Sequence, residues 1–158
     1  MPKRAVFKSL SQFWALNSAQ KKWFVRCWWQ FAIWHIRIQY LPYHWWKMRL
    51  FNSLNNNSGR SLSFSLQDAI RLSEMAARHH VFRINCLRRC VVQQQLLAEY
   101  DYETTLHFGV AKQDSRLKAH CWLTHQGKLI NDGPEVVSTY TELKLAGEQS
   151  QQILAALR

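Results

Sequence analysis

From Phe24 onward the apolar positions Phe24, Cys27, Phe31, Trp34, Ile38 and Leu41 recur at alternating steps of three and four. That spacing keeps them on one face of a 3.6-residue period and predicts one long helix, with Ser18 as its cap. Arg26, Gln30 and Arg37 fall away from the stripe. Pro42 ends or kinks this helix, because it lacks a backbone N–H and restricts the residue before it. Tyr43 to Leu54 reads as a second, shorter helix carrying Trp45, Trp46, Met48, Leu50 and Phe51. Two free helices cannot hide that much apolar surface. They must pack on the C-terminal part of the chain, on another protein or on a membrane face.

The pattern changes after an Asn-rich stretch. Leu54 to Ser63, containing Asn55-Asn56-Asn57-Ser58-Gly59, reads as a linker and divides a helical region, 1–58, from a second region, 59–158. Ser65 and Asp68 form a capping box for a helix running to about Arg78. Asn85 caps the next helix, with Cys86 in its first turn and a helix-forming run from Leu87 to Glu99. In Thr104 to Ala111, Leu106, Phe108 and Val110 alternate with smaller or polar residues, as in a half-buried strand. A second strand, Leu117 to His125, reaches a tight turn at Gln126-Gly127, and Lys128 to Asn131 leads back toward Asp132. Gly133-Pro134 then turns the chain, Val136 to Leu145 supplies a further strand or short helix, and Gln149 to Arg158 adds a terminal helical turn or two.

Charge sharpens the division. The net charge of +11 is concentrated in residues 1–60, which hold ten Lys and Arg and no Asp or Glu. The remaining residues hold eleven basic and ten acidic side chains, and seven of the eight tryptophans precede Asp68, the first acid. With 158 residues and 47% hydrophobic content the chain suits one domain with an appendage and is not disordered. The four cysteines have neither the spacings nor the context of a disulfide framework, which points to a reducing, cytoplasmic compartment. No signal peptide is read at the N-terminus, and Arg26, Gln30, His35, Arg37 and Gln39 interrupt the longest apolar region, Trp23 to Trp46, too often for a spanning helix.

The chemistry gathers between Asn85 and Asp132. A thiol in a first helical turn faces unpaired N–H groups and the positive end of the helix dipole, which favour thiolate. Arg83, Arg88 and Arg89 act in the same direction. Folding the last segment as a hairpin about Gln126-Gly127 brings His120 opposite Asp132 or its immediate neighbour, so that a carboxylate holds one imidazole nitrogen while the other faces the helix start. Nucleophilic thiol catalysis needs those three parts: Cys86 as nucleophile, His120 as base and Asp132 as the group that orients the base. Each residue also has a plainer reading: Cys86 as a buried apolar residue, His120 as a satisfied strand histidine, Asp132 as a turn former. Their ordered combination favours the catalytic one.

The segments Asn85-Cys86-Leu87-Arg88-Arg89-Cys90, Leu106-His107-Phe108-Gly109-Val110, Lys118-Ala119-His120-Cys121-Trp122-Leu123 and Asn131-Asp132-Gly133-Pro134-Glu135-Val136 carry a family resemblance. Over roughly residues 60–145 the chain resembles the stand-alone leader peptidases of lasso-peptide biosynthesis, in the transglutaminase-like, papain-related superfamily. The pattern of that family is Cys-Leu-x-Arg-small, a strand ending in Gly-Val, Ala-His-Ala-Trp-Val, and Asn-Asp-x-Pro before an acid and Val. Cys90 stands where the family usually has Ser or Ala, and Cys121 where it usually has Ala. The resemblance implies an α+β, transglutaminase-like cysteine protease domain: a helix carrying the Cys packs on an antiparallel sheet carrying the His and Asp, behind an N-terminal helical extension. It implies the same roles for Cys86, His120 and Asp132, with no cofactor for the triad chemistry. It also implies a precursor peptide as substrate, a separate leader-recognition protein supplied in trans, and an ATP-dependent, asparagine-synthetase-like cyclase acting on the released core.

Two rival readings use the same residues differently. A transglutaminase or acyltransferase would keep the triad and pass the thioester to an amine instead of water. A non-catalytic module would use the basic, aromatic residues 1–58 to bind anionic lipid or nucleic acid. The helical aromatic stripe suits membrane or protein packing better than nucleic acid. Zinc held by Cys86, Cys90, His120 and Cys121 is disfavoured, since consecutive strand residues project to opposite faces, and so is a His79-His80 metal site.

Overall fold

The computed structural model describes residues 13–42, 44–46, 59–113 and 116–143. Helix α1 spans Ser18–Tyr40, α2 Leu66–Arg78, α3 Cys86–Ala98 and the short α4 Glu135–Thr139. Strands β1 Thr105–Gln113, β2 Arg116–His125, β3 Lys128–Leu129 and β4 Thr141–Glu142 form one antiparallel sheet in the order β3-β2-β1-β4. The fold is α+β: α3 packs on β1 and β2 of the sheet, and α1 and α2 pack on α3 and on each other. Among the described residues no helix is long and apolar enough to cross a membrane.

The cap of helix α1 lies one residue earlier than expected. Asn17, not Ser18, accepts the N–H of Gln20 at 2.9 Å, and the Gln20 side chain returns to the Asn17 N–H at 3.1 Å. This reciprocal box satisfies two end groups at once, which Ser18 in the first turn cannot do. The buried stripe is Trp23, Cys27, Phe31, Trp34 and Ile38. It follows the predicted row from Cys27 to Ile38 and adds Trp23, while the two ends of the row, Phe24 and the extended Leu41 before Pro42, are partly buried against the same core. The stripe packs on α2 and α3, so the chain's own C-terminal part covers it. Polar edges of the large side chains are satisfied across these contacts. The Trp23 indole donates to the Ala69 carbonyl at 2.9 Å and the Trp34 indole to Gln95 at 2.9 Å, while Arg26 pairs with Glu99 at 2.6 Å. The expected helix at Tyr43 to Leu54 lies outside the described residues except for a helical His44–Trp46, as do the Asn-rich part of the linker and the segment Gln149 to Arg158.

The next two helices begin at the caps that the sequence predicts. Ser65 accepts the Asp68 N–H at 3.0 Å and Asn85 accepts the Arg88 N–H at 3.1 Å. Between them His80 closes the connection against α1. Its Nε2–H donates to the Trp28 carbonyl at 3.1 Å and its Nδ1 accepts the Phe82 N–H at 3.0 Å, so both ring nitrogens are used structurally. Burial holds this imidazole below its ordinary pKa, in keeping with a neutral ring that donates at one nitrogen and accepts at the other.

The β1–β2 ladder runs from Thr105↔Thr124 to Gln113↔Arg116, longer at its far end than the alternation suggested. Gln126 and Gly127 both take positive φ, 50° and 73°, the backbone of a turn that matches strand twist. The return strand is shorter than expected. After Leu129 and the Ile130 N–H to the Leu123 carbonyl, the Asn131 side chain accepts the Leu123 N–H at 2.9 Å. Asn131 also donates to Gln93 at 2.7 Å and to the Cys90 sulfur at 3.3 Å, and Gln93 donates to Ser73 and Glu74 at 2.7 and 2.8 Å. A buried polar chain thus ties β2 to α3 and α2. Beyond it the expected strand or helix is both, α4 followed by β4.

Asn131→Ala removes three partners from this chain and strands a buried N–H and a buried amide. The loss should be on the order of 2–4 kcal/mol. Urea unfolding of the variant checks it; a midpoint equal to wild type would mean that the network carries no stability.

Candidate active site

Cys86 opens α3, where Asn85 has already satisfied one end N–H and the helix has no acidic residue in its first turn. The thiol is partly exposed, whereas Cys27, Cys90 and Cys121 are buried. It meets two consecutive residues of β2: the Cys121 thiol and N–H, and the His120 imidazole. The hydrogen bond from the Cys121 thiol and that from His120 outweigh the cost of burying a charge and draw the Cys86 thiol down to about 4. Burial wins at the deeper thiols: it raises Cys121 well above its ordinary value, together with the hydrogen bonds to Cys86 and Cys90, and it raises Cys27 against the nearby Arg26 charge.

His120 on β2 places Nε2 at 2.7 Å from Asp132 Oδ2, which leaves Nδ1 for Cys86. The Asp132 hydrogen bond, with that of Cys86, raises the imidazole to about 9 against its desolvation. Asp132 is pulled the other way. Burial alone would raise it, but the His120 hydrogen bond, the Arg89 charge and the Gly133 N–H hold it below its usual range. Cys86, His120 and Asp132, the residues picked out along the chain, are therefore brought together in one cluster. The route differs from the expected one. The ladder has already ended at Asn131, so Asp132 reaches His120 from a loop and not as a cross-strand partner.

What holds Asp132 is not evident from the sequence. Arg89, one turn after Cys86, donates from Nη2 to the same carboxylate oxygen at 2.8 Å, and its Nε lies 3.3 Å from Glu74. Its place at i+3 from the Cys was the available signal, since residues three apart share a helix face. The ring of His120 is also flanked, by Tyr140 at 5.1 Å and Trp122 at 6.4 Å between centroids. Gly109, paired with His120, permits this: a Cβ there would fall 2.8 Å from the Trp122 ring and 2.9 Å from the Tyr140 Cβ. Cys90 is not part of the cluster. Its thiol donates to the Cys121 carbonyl at 3.3 Å and takes the Asn131 amide. Among the described residues no group of His, Cys, Asp or Glu is arranged to hold a metal ion.

Two outcomes follow from this geometry. The Cys86 thiolate forms as pH rises through about 4, and its imidazolium partner is lost as pH rises through about 9. Alkylation of Cys86 by iodoacetamide should therefore be nearly flat between about pH 5 and about pH 8, where an ordinary thiol gains close to tenfold per unit. Rates followed by peptide mapping test this, and first labelling at Cys90 or Cys121 would sink it. Arg89→Gln leaves Glu74 without its cation and Asp132 with His120 alone in a setting only 20–22% exposed, and should cost about 1–3 kcal/mol in urea unfolding.

The family model described as the transglutaminase-like superfamily matches residues 34–144, well over half of the chain. No curated protein and no solved structure matches it. The matched stretch contains the Cys86 helix, the His120 strand and Asp132, as well as the C-terminal turns of α1. The chain belongs to the transglutaminase-like superfamily, whose members are generally enzymes of the cysteine-protease and acyl-transfer type.

Proposed function

We propose that this protein is a cysteine peptidase that removes the leader from a ribosomally made lasso-peptide precursor, with Cys86, His120 and Asp132 as its triad. The observation that carries the reading is His120 joined to Asp132 through Nε2 at 2.7 Å while Cys86, drawn down to about 4, takes its other side. The motifs around these residues support the choice of substrate.

The Cys86 thiolate attacks the scissile carbonyl carbon, and the Cys86 N–H at the start of α3 faces the oxyanion that forms. His120, holding its proton at Nδ1, gives it to the departing amine, so the C–N bond breaks as the thioester is left on Cys86. His120 then takes a proton from water, whose oxygen attacks the thioester and releases the leader as an acid. Asp132 keeps Nε2–H engaged throughout and fixes the ring. The amine freed on the core is the group that an asparagine-synthetase-like cyclase would join to an acidic side chain. The reading includes a separate leader-recognition protein in trans, a cytoplasmic setting, and no cofactor for the cleavage itself.

The test is leader cleavage by the purified protein with its recognition partner, read by product mass. Hydrolysis adds the mass of water across the cut, and a product that has captured an amine instead would assign the chain to acyl transfer. Cys86→Ala and His120→Ala should abolish cleavage. Asp132→Asn should lower it by about 10²-fold, less than the loss of about 10⁴ in serine proteases, because the thiolate-imidazolium pair is already ionised before substrate arrives. Circular dichroism controls for folding, and a folded Asp132→Asn that cleaves at the wild-type rate leaves only a Cys86–His120 dyad.

A further inference from the structure

The core takes one face of α1 and leaves another bare. Val25, Trp29, Ile33, Ile36 and Tyr40 follow one another at steps of four, four, three and four, and every one of them is exposed. Trp29 is 61% exposed, Ile36 50% and Tyr40 73%. The row covers roughly 22 Å of helix. Trp14 before the helix and Trp45 after it are exposed as well. Apolar side chains scattered singly need no explanation, but a continuous stripe on a helix already anchored by its opposite face does.

The charge of the sequence that carries the stripe says what covers it. Residues 1–60 carry ten cations and no anion, while the rest of the chain is nearly balanced. Lys22 is exposed one turn before Val25, and the Lys21 ammonium lies 5.5 Å from the Trp14 ring. The complementary surface must be apolar and anionic together. A nucleic acid offers the charge but stacks on aromatic faces, and three of the five stripe residues are aliphatic. A bilayer containing anionic lipid offers both properties and asks for no matched shape. Indole and phenol rings with Lys and Arg are the side chains that its headgroup region accepts.

We infer that the outer face of α1, from Val25 to Tyr40, lies in the plane of an anionic membrane surface and holds the enzyme there as a peripheral protein. The helix is not apolar enough to cross, and its inner face stays in the protein core. Gln39, in its last turn, accepts from Arg88 of α3 at 3.4 Å. Docking through α1 therefore keeps the Cys86 helix start at a fixed height over the surface. This inference stands apart from the identity of the peptide substrate.

The full chain is sedimented with vesicles of phosphatidylcholine alone or with about one-quarter phosphatidylglycerol, at low salt and at roughly 0.5 M salt. Partition onto the anionic vesicles should exceed that onto neutral ones about tenfold at low salt and should fall as salt rises. Trp29→Ser with Ile36→Ser should weaken it by at least about tenfold while Cys86 alkylation stays as in wild type. If that double variant loses Cys86 reactivity, and with it the fold, Tyr40→Ser at the exposed end of the stripe carries the same comparison. Equal partition onto neutral and anionic vesicles, or none at all, overturns the inference. So does partition that depends on salt but not on the stripe, or a dimer in sedimentation velocity that Trp29→Ser dissolves.

Discussion

A carboxylate, an imidazole and a thiol share one proton economy in a half-buried site, and the contact that sets it is the 2.7 Å bond between His120 and Asp132. Without a fixed Asp132 the imidazole would lose the bond that sets which nitrogen faces Cys86, and the charge pair with Cys86 would have no stable partner on its far side. Asp132 sits on a loop, so it needs anchoring of its own. Arg89 supplies it from α3, Glu74 steadies Arg89 from α2, and Gln93 steadies Glu74. Three elements are thereby locked by charge to the position of one carboxylate. The site and the packing of the helices are a single problem.

That coupling explains why so much polar matter is buried so close to an apolar core. Gln93 and Asn131 are almost completely buried, and each spends its amide on partners from other elements. Asn131 ends the β2–β3 ladder by replacing a backbone acceptor with its own side-chain oxygen, and the next residue is Asp132. The loop is released from the sheet at the point where a side chain has to turn toward His120. Cys90 fits the same scheme, since a thiol is small enough for the space beneath β2 and still donates to the Cys121 carbonyl.

What the sequence discloses and what it hides divide along the range of the interactions. Helix starts are legible because Ser65 and Asn85 act on N–H groups three residues away. The turn at Gln126-Gly127 is legible because its positive φ values favour a residue such as Gly. The centre of the α1 stripe is legible from spacing alone. Its first residue is not: Trp23 rather than Phe24 is buried because an indole N–H finds the Ala69 carbonyl, a partner 46 positions away. The Arg89 pairs span 15 and 43 positions and leave no mark on local periodicity. The meeting of His120 with Asp132 could be anticipated from the hairpin, yet the means by which it happens could not, because no pattern of residue types announces that a side chain will take over a ladder.

The N-terminal helix is where these two scales meet. A helix with apolar residues on two faces would be ambiguous in isolation, free to present either one to the core. Tryptophan resolves the ambiguity through its polar edge. Trp23 and Trp34 each have an indole N–H that must be satisfied once buried, and the chain provides Ala69 and Gln95 at 2.9 Å for them. Arg26 adds direction, since its pairing with Glu99 and Tyr100 pins the flank of the inner face to the end of α3. Burial chooses how much of α1 is covered, but these few directed bonds choose which face. Because Gln39 touches Arg88 at the other end, the same choice fixes the angle at which α1 approaches the Cys86 turn. The outward stripe is thus a consequence of how the inner face is held, and rotating α1 to hide it would break the indole bonds that orient the helix carrying the thiol.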